Sequence, residues 1–133
     1  MLTLCRPSEA TNSSWVEIDL DKQVWLIPAE RMKAGRDHFV PLSTQAVHIL
    51  NTMQKITGSC HHIFVGRDFK TPINRETPRI ALRRFRDKGI DTTSHGLRAL
   101  GRTYLAESGL WRTEVMEAAL AHIEPNKVRA AYN

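Results

Sequence analysis

The apolar periodicity of the chain changes once, between Leu42 and Ser43, and no other feature constrains the fold as much. Before that point Trp15-Val-Glu-Ile-Asp-Leu20 alternates, Gln23-Val-Trp-Leu-Ile27 runs apolar to Pro28, and His38-Phe-Val-Pro-Leu42 makes a third short apolar segment. Short runs of this kind suit strands packed on one face. Asp21-Lys22 leaves room only for a tight turn between the first two, so a small three-stranded antiparallel sheet is expected near the N-terminus. The polar stretch from Ala29 to Asp37, with Gly35 in it, reads as a charged loop that carries Lys33 near its tip.

After Ser43 the spacing is helical. Ser43 stands where an N-cap belongs, Ala46, Val47, Leu50 and Met53 recur on one face, and Gly58 stops the run. Residues 59–74 form a connector with one apolar run at Ile63-Phe-Val65. Pro78, Ala81, Leu82 and Phe85 then share a face of a helix expected to close at Gly89, while Arg75, Arg79, Arg83 and Arg86 line another face. Thr92-Thr93-Ser94 precedes a second amphipathic helix with Leu97, Leu100, Tyr104 and Leu105, ending at Gly109. Thr113 can cap a third, and Pro125 can open a fourth that runs to the end. The expected class is therefore α+β: a mainly helical domain with one small sheet, and 133 residues allow a single such domain.

Composition narrows the function. Apolar residues make up 41% of the chain and charged residues 25%, globular proportions that fit neither a disordered tail nor a membrane protein. No apolar stretch is long enough to span a bilayer and Met1 opens no signal-peptide pattern, so the expected location is the cytoplasm. Cys5 and Cys60 lie in no C-x-x-C and are expected to be reduced thiols. Cys60-His-His62 has no second pair at ligand spacing, so no metal is expected. There is no G-x-S-x-G and no glycine-rich phosphate loop, which removes serine-hydrolase and nucleotide-binding readings. The net charge is +5, and all of the excess lies in the second half: residues 75–88 alone carry six basic and two acidic side chains. Such a field suits a polyanion, although a solvated helix face would show the same charge.

His95-Gly-Leu-Arg98 sets an imidazole and a guanidinium three apart at a helix start, where free backbone N–H groups also favour phosphate. Singly, the candidates have plain readings: a solvated His95/Arg98 pair, a His122 drawn to a helix C-terminus, a packing Tyr132, a solvated Lys33. Their joint order is more specific. His95-x-x-Arg98, Leu120-Ala-His122 and Tyr132, with twenty-four residues from Arg98 to His122 and ten more to Tyr132, resemble the catalytic end of the tyrosine recombinases, the phage integrase family. The run from Leu120 to Tyr132 is most similar to the prophage-type branch. Arg6-Pro-Ser-Glu9 followed by Trp15-x-Glu-Ile-Asp19 resembles the family's Arg-Pro-Gly-Glu segment and first strand, and Met32-Lys33 before His38-x-Val-Pro-Leu-Ser43 resembles its hairpin lysine. Many relatives have Gly, Gly and Leu where this chain has Cys5, Ser8 and Ala10.

The resemblance implies site-specific DNA recombination, as in prophage integration and excision, through a 3′-phosphotyrosine and without a cofactor. It implies that Tyr132 is the nucleophile, that Arg6 and Arg98 clamp the phosphate, and that His95 accepts a proton. It also implies that His122 donates to a phosphate oxygen and that Lys33 protonates the departing 5′ hydroxyl. The expected partners are double-stranded DNA, held through Arg75, Arg79, Arg83 and Arg86, and other recombinase protomers on that DNA. No membrane partner is expected; the chain is expected to be monomeric in solution and nucleoid-associated, of bacterial or phage origin. Residues 1–133 correspond to a truncated catalytic domain, with the family's N-terminal DNA-binding domains lying outside it, so weak or absent activity is expected of the chain by itself. An inactive remnant that only binds DNA or a partner is the alternative.

Overall fold

The computed structural model describes residues 2–122, and its order of elements is that of an α+β domain. Helix α1 (Pro7–Thr11) opens the chain, strands β1 (Ile18–Asp19), β2 (Val24–Ile27) and β3 (His38–Pro41) follow, and α2 (Thr44–Thr57), α3 (Thr77–Arg83), α4 (Ser94–Glu107) and α5 (Thr113–Ala119) complete the described part. The three strands form one antiparallel sheet in the order β1-β2-β3.

Strand alternation decides which side of the sheet is buried. Trp25 and Ile27 face inward on β2, and their cross-strand partners Val40 and His38 share that face. Phe39, one position out of phase, is exposed. Ala46 and Leu50 of α2, together with Met32, Leu42 and Ile63, close over the buried face and complete the core. Helix α2 is held where the sequence expects it: Ser43 Oγ accepts the Ala46 N–H at 3.3 Å and Gly58 ends the helix.

Two elements differ from the sequence reading. The first strand is shorter than Trp15–Leu20, because Trp15–Glu17 is a 3₁₀ turn. The backbone there pairs with the connector instead of the hairpin: Trp15 N–H donates to the His61 carbonyl at 3.1 Å, its indole N–H to Thr57 at 2.8 Å, and Ile63 N–H to Ser13 at 3.0 Å. These long-range bonds bury Ile63, which explains the lone apolar run in the connector. Likewise, the arginine-rich helix does not reach Gly89. It ends at Arg83, tightens into i to i+3 bonds at Arg84 and Phe85, and passes into a separate 3₁₀ turn at Arg86–Lys88, closed by Gly89 at φ +78°.

Helices α4 and α5 pack against each other and carry half of the candidate site. Thr93 caps α4 by accepting the Gly96 N–H at 2.9 Å, and a Cβ at position 96 would lie 3.1 Å from Thr92 Oγ1, so glycine lets the cap close. Two arginines one turn apart on α4 grip α5: Arg98 donates to the Leu120 carbonyl and Arg102 to Glu117. Leu120 and Met116 are buried beneath these bonds. The expected fourth helix from Pro125, and Tyr132 with it, lie outside the described residues.

Candidate phosphate site

Arg6 sits at the N-cap position of α1 because Pro7 suits the first helical position and Glu9 reaches back to it. Glu9 Oε2 accepts the Arg6 backbone N–H at 2.7 Å, and Oε1 accepts Arg6 Nη1 at 2.8 Å. Glu9 is only 5% exposed, so a buried carboxylate fixes both the backbone and the guanidinium of Arg6. Arg31 secures this arrangement from the hairpin. Its Nη2 donates to the Glu9 carbonyl at 2.6 Å while Nη1 pairs with Glu17, which also accepts the Trp25 indole N–H at 2.9 Å.

Arg98 arrives from α4 and is 7% exposed. Burial, and then the positive charge of Arg6 nearby, hold its guanidinium below the ordinary arginine value, with the Glu9 carboxylate opposing. The Glu9 carboxylate is bonded to Arg6, and its charge also reaches the Arg98 guanidinium nearby. Arginine remains protonated under such strain, which makes it the suitable cation for this position. Cys5 also lies in this cluster; burial pushes its thiol up to about 11, so it is a neutral group and not a thiolate. Both cysteines are free thiols.

The other candidates are distributed around this centre. His122 is tied to Glu117, with Nδ1 and Oε2 2.5 Å apart, two residues after the Leu120 carbonyl that Arg98 holds. His95 is exposed in the first turn of α4, one turn before Arg98. Lys33 is exposed on the β2–β3 connection, directly after the buried Met32 and two residues beyond Arg31. Arg6, Arg98 and the end of α5 are therefore brought together, whereas among the described residues no hydrogen bond or ion pair joins Lys33 or His95 to them. The four arginines proposed for DNA do not share one helix face: Arg75 precedes α3, Arg79 and Arg83 lie on it, and Arg86 is in the 3₁₀ turn. Arg79 pairs with Glu76 at 2.5 Å and Arg86 with Asp91 at 2.8 Å.

Sequence reasoning passed over several residues that build the site. Glu9 was visible, since three residues after Arg6 is the capping-box spacing. Arg102 stands four residues after Arg98, a same-face spacing. His38 stands in the sequence reading only as part of the hairpin segment, with no local sign of its partners. It lies on the inward face of β3, where its ring faces Glu9, Arg98, Arg6 and the backbone of Ala119, and burial lowers its pKa. The large groove elsewhere on the molecule, lined by Trp15, Asp19, Asp21, Lys22 and Phe39 among others, contains none of the candidates and is acidic.

A small sheet backed by helices thus brings Arg6 and Arg98 near one buried carboxylate, Glu9. The Phage integrase family matches residues 1–133, and the chain belongs to that family. The prophage integrase IntA of Escherichia coli (strain K12) is 46% identical over 134 residues, covering 100% of this chain and 32% of that protein. The integrase of Enterobacteria phage P4 is 39% identical over 146 residues, covering 99% of the chain and 33% of that protein. The chain thus spans about a third of the length of these relatives. The crystal structure of XerA recombinase has the same fold, with a TM-score of 0.73 at 19% identity over 98% of this chain and 53% of that one.

Proposed function

We propose that the chain is the catalytic part of a site-specific DNA recombinase that cuts and rejoins DNA through Tyr132. The observation that carries this reading is the proximity of Arg6 and Arg98, two guanidiniums from segments far apart in sequence brought near the same carboxylate, Glu9. A phosphodiester under attack gathers negative charge on its non-bridging oxygens, and fixed cations there lower the barrier. Each such donor in comparable sites is worth about 3 kcal/mol.

In the proposed step Tyr132 Oη attacks phosphorus and gives its proton to His95. A 3′-phosphotyrosine bond forms, the bond to the 5′ oxygen breaks, and Lys33 protonates that oxygen as it leaves. Arg6 and Arg98 hold the phosphate throughout, and His122 donates to one of its oxygens. Religation is the same step in reverse with a new 5′ hydroxyl, so the energy of the broken bond is kept in the tyrosine ester. Arg75, Arg79, Arg83 and Arg86 contact flanking phosphates without reading bases. The partners are duplex DNA and further protomers bound to it, and the setting is a bacterial cytoplasm.

The test is a pool of nicked duplexes from which the cleaved 5′-hydroxyl fragment diffuses away, so that even slow events accumulate. With excess chain, a slowly growing covalent adduct is expected, absent in Tyr132→Phe and about a hundredfold slower in Arg98→Lys. DNA binding with no adduct, both by the chain alone and once it replaces the matching segment of a full-length relative, would leave only a DNA-binding remnant.

A further inference from the structure

We propose that Glu117, anchored by Arg102, is a positioning residue that fixes the tautomer and direction of His122. The inference deepens the recombinase reading and rests on it for the role of His122, but the geometry is independent of it.

The backbone brings the two side chains together. Helix α5 ends with Ala121 at φ +50°, with His122 N–H donating to the Glu117 carbonyl at 3.0 Å and Ala121 N–H to Ala118 at 3.0 Å. This is the Schellman pattern, in which the second residue past the cap folds over the third residue from the helix end. That contact is usually apolar; here it pairs an imidazole with a carboxylate, Nδ1 to Oε2 at 2.5 Å. The second oxygen of Glu117 is occupied as well: Arg102 Nη2 lies 2.8 Å and Nε 3.2 Å from Oε1. The chain Arg102, Glu117, His122 therefore runs from α4 across to the third residue past α5, one helical turn along α4 from the Arg98 bond to Leu120.

Chemistry then sets the proton's place. The Arg102 bond, ahead of the contact with His122, holds the Glu117 carboxyl below the usual range, so it is ionised and can only accept. Nδ1 must therefore carry hydrogen, so Nε2 is the nitrogen left to face a phosphate oxygen, and it donates there when the ring also holds its second proton. Without Glu117 a neutral histidine has no reason to hold its proton on Nδ1, and the ring is free to rotate.

The test reads the tautomer directly, by nitrogen-15 spectra of histidine-labelled chain at about pH 9, where an ordinary imidazole is neutral. His122→Gln identifies the signal. The wild-type ring is expected to be protonated on Nδ1, Glu117→Gln is expected to keep that state through its amide oxygen, and Glu117→Ala is expected to lose it. An Nδ1-protonated state that survives Glu117→Ala, or a wild-type ring protonated on Nε2, would overturn the proposal. If Glu117→Ala fails to fold, the wild-type tautomer alone still decides. Adduct formation on the nicked duplexes gives a second readout: Glu117→Ala should be slowed about tenfold to a hundredfold, with Glu117→Gln recovering most of the rate. A Glu117-dependent tautomer with no adduct, from the chain alone or within a full-length relative, would defeat the recombinase reading and leave the positioning role standing. An adduct with a tautomer indifferent to Glu117 would do the opposite.

Discussion

The Glu9 carboxylate accepts from both the backbone N–H and the guanidinium of Arg6, while the buried Arg98 nearby donates to the Leu120 carbonyl. His38 completes this layer from the β3 side, and its environment has a measurable consequence. Burial, more than any charge, disfavours its protonated form, with Arg98 and Arg6 acting in the same direction and Glu9 and the Ala119 backbone opposing. Its folded pKa lies below 6.5, so the unfolded chain binds more protons as the medium is acidified and stability is lost as pH falls through that region. Urea midpoints measured from about pH 7.5 to 5 should fall more steeply for the wild type than for His38→Phe; parallel curves would show that His38 is not desolvated. Arg6 and Arg98 were legible in the sequence because each stands in a spaced motif. Glu117 and His38 were not, because their partners come from a chain reversal and from another element.

Elements show the same division between local and long-range causes. Helices α2 and α4 were readable from their capping residues, Ser43 and Thr93, and from apolar spacing, and the hairpin from alternation. The first strand was read too long because nothing local announces that Trp15 pairs with His61, and the arginine helix because charge spacing does not reveal where a helix loses its tertiary support. The end of α5 carries a local cost. Ala121 occupies the left-handed region at φ +50°, a conformation that disfavours any residue with a Cβ by about 1 kcal/mol. Ala121→Gly should therefore raise unfolding stability by about 1 kcal/mol in urea titrations while keeping His122 over Glu117. A destabilised variant would mean that the Schellman turn is not what orders this segment.

For the whole molecule, the division of charge matches the division of labour. The sheet and α2 form the core, and Arg31 of the hairpin reaches α1 at the Glu9 carbonyl; the basic second half supplies α3, α4 and α5, with His122 just past the last of them. The chain covers about a third of the length of its curated relatives. That makes a hybrid the most direct test of the central claim. In it, this chain replaces the matching segment of the IntA prophage integrase and is given a nicked duplex bearing that integrase's attachment site. The account predicts a covalent adduct at the 3′ side of the cut, mapped to Tyr132 and abolished by Tyr132→Phe. A hybrid that binds the site but forms no adduct, or an adduct that persists in Tyr132→Phe, would contradict it.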